Sequence, residues 1–310
     1  ALISLPDSLH VLWIWTVIGL AGFYRTFMHS YFPAAGGRDV SHQPLGRDFV
    51  NPWLGAKMAL HGETADIFSI SGYMDQVHKI FAEPAPHLNF SYPPDILLLI
   101  WVLGFLPYFP AFALWTGAGM AGLARGLWKH MGAARVEGVL LAIFSPACLI
   151  NFWSGQNGSF TAALFLGGLY LCEQSPVAAG VLFGLLTIKP HLGILIVPVL
   201  LMRRNWRCIV SASATTGLLV VSSIALWGLE PWRGYVSETL PYQEHLLQLA
   251  EGFYPKMMPG VWADCLIVMK MPHAAAAAVA MLCAALAATV SLFAVWREGI
   301  TPRTVLALAL

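Results

Sequence analysis

Four short stretches of this chain carry residue types that can do chemistry at a membrane surface: Gly46-Arg47-Asp48-Phe49-Val50-Asn51-Pro52-Trp53, Ser91-Tyr92-Pro93-Pro94-Asp95, Gly155-Gln156-Asn157 and Ile188-Lys189-Pro190-His191. A carboxylate such as Asp48 can accept the proton of an attacking hydroxyl, which is a poor nucleophile until that proton leaves. A cation such as Lys189, with His191 beside it, can hold negative charge that grows on a departing group. Gln156 and Asn157 offer amides to a polar ligand, although Asn-Gly also forms turns on its own account. Tyr92, ahead of two prolines, suits the lining of an acceptor path and equally an interfacial aromatic belt. The set points to a membrane-embedded transferase.

The elements that must position these groups are apolar. Hydrophobic residues make up 58% of the 310-residue chain and charged ones 11%, against roughly 45–50% and 25% in soluble domains. The apolar residues arrive in blocks, the pattern of several membrane-crossing helices. A net charge of +1 gives no reason to expect a nucleic-acid partner. The five cysteines are scattered without a C-x-x-C pair, as small buried thiols would be.

A first crossing is expected at about Leu9 to Phe27, with Arg25 near its end, placed either to snorkel to the interface or to meet an anionic substrate. A long polar loop, His29 to Tyr92, follows. Within it, Asn51 as N-cap, Pro52 at the first helical position and Gly62 beyond the end outline a short helix. Its Trp53, Ala56, Leu60 stripe suits a helix lying flat on the membrane. The run Ile96 to Leu106 is about half a crossing at ~1.5 Å per residue. Further crossings are expected at about Ala111–Trp128, Val136–Phe152, Phe160–Cys172, Val177–Ile188, Leu192–Met202, Ile209–Leu229 and Ala274–Trp296. Basic loops at Arg125–Arg135, Arg203–Arg207 and Arg297 mark the cytoplasmic side. Parity then places Asp48, Tyr92, Gln156, Lys189 and His191 together on the opposite, extracytoplasmic face, provided the half-length piece does not span.

Five histidines (His29, His42, His61, His78, His87) fall in or beside the first loop, but none has metal-ligand spacing with a carboxylate, so no metal is expected. No phosphate-cradling loop or dinucleotide fingerprint is present, and no cofactor is called for. A transporter or flippase of a lipid-linked sugar would need paired broken helices in two related halves, which the chain lacks. A non-catalytic membrane subunit whose loops bind a partner is the other alternative.

In their order, Gly46-Arg47-Asp48-Phe49, Phe90-Ser91-Tyr92-Pro93-Pro94, Leu106-Pro107 with Ala113-Leu114-Trp115, Gly155-Gln156-Asn157, Ala179-Gly180-Val181-Leu182-Phe183-Gly184 with Ile188-Lys189-Pro190, and Leu200-Leu201-Met202-Arg203-Arg204-Asn205-Trp206-Arg207 resemble glycosyltransferase family 87. These are polyprenyl-phosphate-sugar-dependent, mannosyltransferase-like enzymes with the GT-C membrane fold. The similarity covers Asp48 to Arg207, about half the chain; beyond Arg207 no further motif of the family stands out.

The resemblance implies an all-α, polytopic transmembrane bundle of GT-C type, its long first extracytoplasmic loop carrying short interfacial helices. Residues 1–310 are expected to form a single membrane-embedded domain, a fragment truncated at both ends, in a bacterial plasma membrane. The implied reaction moves a hexose, mannose foremost, from a polyprenyl-phosphate carrier to a lipid or glycan acceptor. Asp48 would be the base, Lys189, His191 and Arg25 the donor phosphate ligands, and Tyr92, Gln156 and Asn157 the substrate contacts, with membrane lipids around them.

Overall fold

The computed structural model of the chain describes residues 5–81, 88–249 and 260–309. Of the sequence expectations, the loop histidine His87 falls outside these. Among the described residues the regular structure is helical, apart from two single-pair bridges, Pro33 with Asp39 and Arg38 with Pro44. The first helix, α1 (Leu5–Thr26), continues through a π-turn to Tyr31. The first loop then holds α2 (Val50–Leu60), α3 (Thr64–Ile67) and α4 (Ile70–Ile80). After it come α5 (Leu97–Ile100), α6 (Tyr108–His130), α7 (Arg135–Ile143), α8 (Pro146–Ser154), α9 (Gly158–Leu171), α10 (Pro176–Leu185) and α11 (Ile196–Met202). The chain closes with α12 (Trp206–Trp227), α13 (Glu230–Gly234), α14 (Leu240–Leu249), α15 (Val261–Ile267), α16 (His273–Glu298) and α17 (Pro302–Ala309).

Among the described residues three stretches are long and apolar enough to cross a membrane, His10–Tyr31, Trp206–Trp227 and His273–Glu298; the pair Gly132–Ile143 and Pro146–Ser154, bent by 55°, adds a fourth if it counts as one span. The protein is thus an all-α polytopic membrane protein. The expected full crossings at Phe160–Cys172, Val177–Ile188 and Leu192–Met202 appear as shorter helices, Gly158–Leu171, Pro176–Ile188 and Pro190–Met202. The cause is local: the left-handed turn at Gly155 and the prolines at 176 and 190 fix the helix starts.

These short helices still run as an up-and-down series. Cys172, Glu173 and Pro176 share a cavity with Arg203, Arg204 and Asn205, so the arms Pro176–Ile188 and Pro190–Met202 form a hairpin with Lys189 at its tip. At the same basic pole, the His130 ring meets the Leu166 carbonyl at 2.9 Å, and Lys129 lies over the Tyr170 ring at 5.6 Å. The residues singled out for chemistry gather at the other pole.

Small residues let the helices approach. On α10, Gly180 and Gly184 lie one turn apart, and a Cβ on Gly180 would stand 2.5 Å from the Cys208 carbonyl and 2.5 Å from Ser211 Cβ of α12. This is the small-xxx-small packing of membrane helices, where close backbone contact replaces the hydrophobic drive that lipid cannot supply. On α6, Gly119, Gly122 and Gly126 play the same part against Phe160, Ala163 and Leu166 of α9.

The first loop has a core of its own, including Phe49, Leu54, Phe68, Tyr73, Phe90 and Leu97. In it α2 is packed on the half-length stretch Pro94–Phe105. The Trp53 indole donates to the Leu106 carbonyl at 3.0 Å, and Gly104 has no room for a Cβ beside the Ala56 backbone, 2.9 Å away. The Trp53 and Ala56 positions of the stripe expected to rest on lipid are therefore buried against protein. Asn51 is not the N-cap. It lies inside α2, where its side-chain oxygen accepts from the Tyr73 hydroxyl at 2.7 Å. Gly62 does lie just past the helix, with φ 80°.

Gly180→Ala should lower the thermal midpoint in detergent, because α12 must shift to admit the methyl, an overpacking cost of about 1–3 kcal/mol. Gly217→Ala on α12, where no atom lies within 4 Å of the new methyl, should leave the midpoint unchanged or raise it. Equal behaviour of the two variants would count against the close approach of α10 and α12.

Candidate active site

Phe49 builds the site. Its ring packs edge-on against Tyr108 (centroids 5.3 Å) and Phe112 (5.4 Å) and lies tilted against Trp115 (6.3 Å). These three residues stand at i, i+4 and i+7 on α6, one face of a helix. Tyr108 further ties the loop by donating its hydroxyl to the Leu45 carbonyl at 2.6 Å. Trp115 ties the far side by donating its indole to the Gly155 carbonyl at 2.9 Å. Gly155 has φ 67°, and a Cβ there would stand 2.5 Å from Phe49 Cβ. Only glycine satisfies both demands.

That close approach brings the chain neighbours together. The Gln156 side-chain amide donates to Asp48 Oδ2 at 2.9 Å, across 108 residues of sequence. Asp48 lies in a 3₁₀ turn leading into α2, keeps a partial opening to solvent, and is crowded by protein elsewhere. Loss of water raises its pKa above the ordinary carboxylate value, and the Gln156 hydrogen bond and the charges of Arg47 and Lys189 pull it back only in part.

Arg47 is not its direct partner. The Arg47 guanidinium pairs with Asp39 at 2.7 Å, stacks over Tyr31 at 4.3 Å and donates to the Ser30 carbonyl. Asp39 in turn accepts from the Ser41 and Gln43 amides at 2.8 and 3.1 Å. This buried knot shapes the approach to Asp48 without neutralising it.

Lys189 stands in the break between Pro176–Ile188 and Pro190–Met202, with non-helical φ −135° and ψ 77°. Burial lowers its pKa, and the Asp48 charge opposes that shift. Tyr92 is buried beside Phe90 (centroids 5.5 Å); that burial raises the pKa of its hydroxyl, and the Asp48 charge adds to the rise. His191 is exposed next to Lys189. Arg25 is exposed near the end of α1, and no contact ties it to Asp48, Gln156 or Lys189.

Asn157 is 1% exposed, and among the described residues neither atom of its amide has a hydrogen-bond partner. It lines a groove of about 560 Å³ between α5, α6, α9 and α10, whose wall near the site also includes Trp115 and Ile188. A buried amide with both functions open costs free energy unless something polar meets it. Among the described residues no group of three His, Cys, Asp or Glu side chains could hold a metal ion.

The sequence model of glycosyltransferase family 87 matches residues 90–310. The chain belongs to glycosyltransferase family 87. No curated protein and no solved structure matches it. As a member of that family it is a membrane glycosyltransferase, with a sugar donor and an acceptor. The match takes in Tyr92, Gln156, Asn157, Lys189 and His191, and continues beyond Arg207, where the residues alone showed no resemblance. Asp48 and Arg25 precede it. What joins Asp48 to the family segment is geometric: its bond to Gln156 and the seating of Phe49 on α6.

Sequence reasoning missed the positioning roles of Phe49, Tyr108 and Trp115. The available signal was the aromatic spacing 108, 112, 115 at the start of α6, directly after Pro107.

Two outcomes follow from this geometry. Gly155→Ala should cost stability, since the left-handed backbone alone penalises a Cβ by ~1–2 kcal/mol, and should separate Gln156 from Asp48. A lower thermal midpoint with weakened sugar transfer is the expected pair of readings. Asp48→Asn should act oppositely on stability. A carboxyl whose folded pKa is raised binds its proton more tightly when folded, so its contribution to stability falls as pH climbs from the ordinary carboxylate range through the folded value. The variant keeps an acceptor for Gln156 and should match or exceed the native midpoint at neutral pH. A clear loss at pH 7 would contradict the desolvated carboxylate.

Proposed function

We propose that the chain transfers a hexose, mannose foremost, from a polyprenyl-phosphate carrier to an acceptor hydroxyl by a single displacement with inversion. The observation that carries this reading is the desolvated Asp48 carboxylate, oriented by a neutral amide and within the field of Lys189. The acceptor oxygen attacks the anomeric carbon as its proton passes to Asp48. The bond from that carbon to the phosphate oxygen breaks, and polyprenyl phosphate leaves with the electron pair. Lys189 offsets the charge that grows on the leaving phosphate, and His191 is the second group able to reach it. One base and one attack give inversion, as in the single-displacement glycoside hydrolases.

Asn157 meets a polar atom of the donor at the mouth of the groove, where Trp115 and Ile188 offer an apolar wall to the first isoprene units. Tyr92 and Gln156 line the acceptor side. Arg25 acts on the donor phosphate through the wider field of the membrane face. The basic loops support an extracytoplasmic position for this face in a plasma membrane, and the donor would reach it within the bilayer. A lipid or glycan acceptor fits the open side of Asp48.

The test is transfer from a polyprenyl-phosphate hexose by the native protein and by Asp48→Asn. Loss of a general base should cost about 10²–10⁴-fold in rate; undiminished transfer would remove Asp48 from the mechanism. The rate of the native enzyme should rise with pH through a value above the ordinary carboxylate range, since only the ionised form accepts a proton. Gln156→Leu, which takes away a hydrogen bond favouring that form, should move the rise to higher pH. Lys189→Met should weaken transfer with the Asp48-dependent pH limb still present.

A further inference from the structure

The groove that ends at Asn157 continues to the opposite pole, and its far end has a different chemistry. Arg125 and Lys129 stand one helical turn apart on α6, both exposed, and Tyr170 stands beside them in the same wall. Among the described residues no carboxylate pairs with Arg125 or Lys129; Lys129 has only the face of the Tyr170 ring, 5.6 Å away. Between the two ends the walls are apolar and thinned by Gly122, Gly126 and Gly167, and Leu99 at the edge is 39% exposed. From Trp115 to Lys129 the groove follows fourteen residues of α6, roughly 21 Å at ~1.5 Å per residue.

We propose that the basic two-thirds of this groove is a site for an anionic phospholipid of the adjacent leaflet, its phosphate on Arg125 and Lys129 and one acyl chain laid along α6 and α9. Two unpaired cations at the membrane boundary attract an anionic headgroup, and an apolar trough open to lipid accepts a chain. The length agrees as well. Half of a ~30 Å hydrocarbon core is roughly 15 Å, so a chain anchored at Lys129 ends short of Asn157. The donor and the phospholipid therefore occupy opposite ends of one groove. A zwitterionic headgroup brings no net charge to the two cations, and a carrier phosphate at this end would lie at the wrong end of α6 for Asp48.

The test uses the whole protein reconstituted in vesicles of equal phosphatidylglycerol and phosphatidylcholine, re-extracted in mild detergent, with the retained lipid measured by mass spectrometry. The native protein should retain phosphatidylglycerol preferentially. Arg125→Gln with Lys129→Gln should reduce that preference on the order of tenfold, while Arg125→Lys with Lys129→Arg should keep it. Leu164→Trp, narrowing the trough from its α9 wall, should lower the amount of lipid retained while the charges remain. Equal retention of the two lipids by the native protein, or an unchanged preference in the double glutamine variant, would overturn the proposal. So would retention of a polyprenyl phosphate that depends on the same two cations. No sugar transfer enters this measurement, so its result is independent of the role given to Asp48.

Discussion

The contact between Phe49 and Gly155 is the constraint on which the site depends. It is a backbone-to-side-chain approach too close for any residue but glycine at position 155. The aromatic face of α6 holds Phe49 from behind, with ring pairs worth about 0.5–1.5 kcal/mol each beyond the area they bury. The same face holds Gly155 through the Trp115 indole. Two polar residues, one on each side of this apolar clamp, are thereby fixed within hydrogen-bond distance. An amide–carboxylate bond open to water would be too weak to organise the loops by itself, since a typical hydrogen bond adds only ~0.5–1.5 kcal/mol net. Apolar packing sets the geometry, and the polar pair rides on it.

The distribution of charge around Asp48 is suited to a base. Had Arg47 paired with it directly, the carboxylate would be stabilised in its ionised form and its affinity for a proton reduced. Arg47 is instead consumed by Asp39 and the Tyr31 ring, eight residues away in sequence from Asp39 and sixteen from Tyr31. Asp48 is left with a neutral donor and with the charges of Arg47 and Lys189, neither of which makes a salt bridge to it. A desolvated carboxylate oriented by an amide retains a higher pKa, which favours proton transfer from a weakly acidic hydroxyl. Desolvation, the largest of the opposing influences on Asp48, decides the direction.

What the sequence made legible was periodicity and parity. The helical class, the blocks of apolar residues and the half-length Ile96 to Leu106 piece could be read directly, and parity placed Asp48, Gln156 and Lys189 on one face. Contacts between distant residues were not legible. Whether Arg47 served Asp48 depended on where Asp39 folded, and Asn51 looked like a helix cap because Tyr73, its actual partner, is twenty-two residues away. The Trp53 and Ala56 stripe is apolar whether it meets lipid or protein, so composition could not reveal that Gly104 lies over it. Asn157 shows the converse. Asn-Gly is a sufficient reason for a turn, and only the buried, unpartnered amide gives it a claim beyond that.

The hairpin that carries Lys189 explains why the site is desolvated without being sealed. A continuous helix from Pro176 to Met202 would place Lys189 near mid-membrane, at an insertion cost of ~2.5–3.5 kcal/mol. Pro190 prevents this by denying the helix a donor at the break, and the chain turns back so that Lys189 stands at the tip. Each arm has thirteen residues, roughly 20 Å at ~1.5 Å per residue. The neighbouring α12, with twenty-two residues, reaches roughly 33 Å by the same measure. The tip of the short hairpin therefore stands below the end of its long neighbour, and the first loop fills the difference, bringing Asp48 down to meet it. A recess of this depth removes much of the water from both charges while leaving Asp48 and Lys189 each partly open.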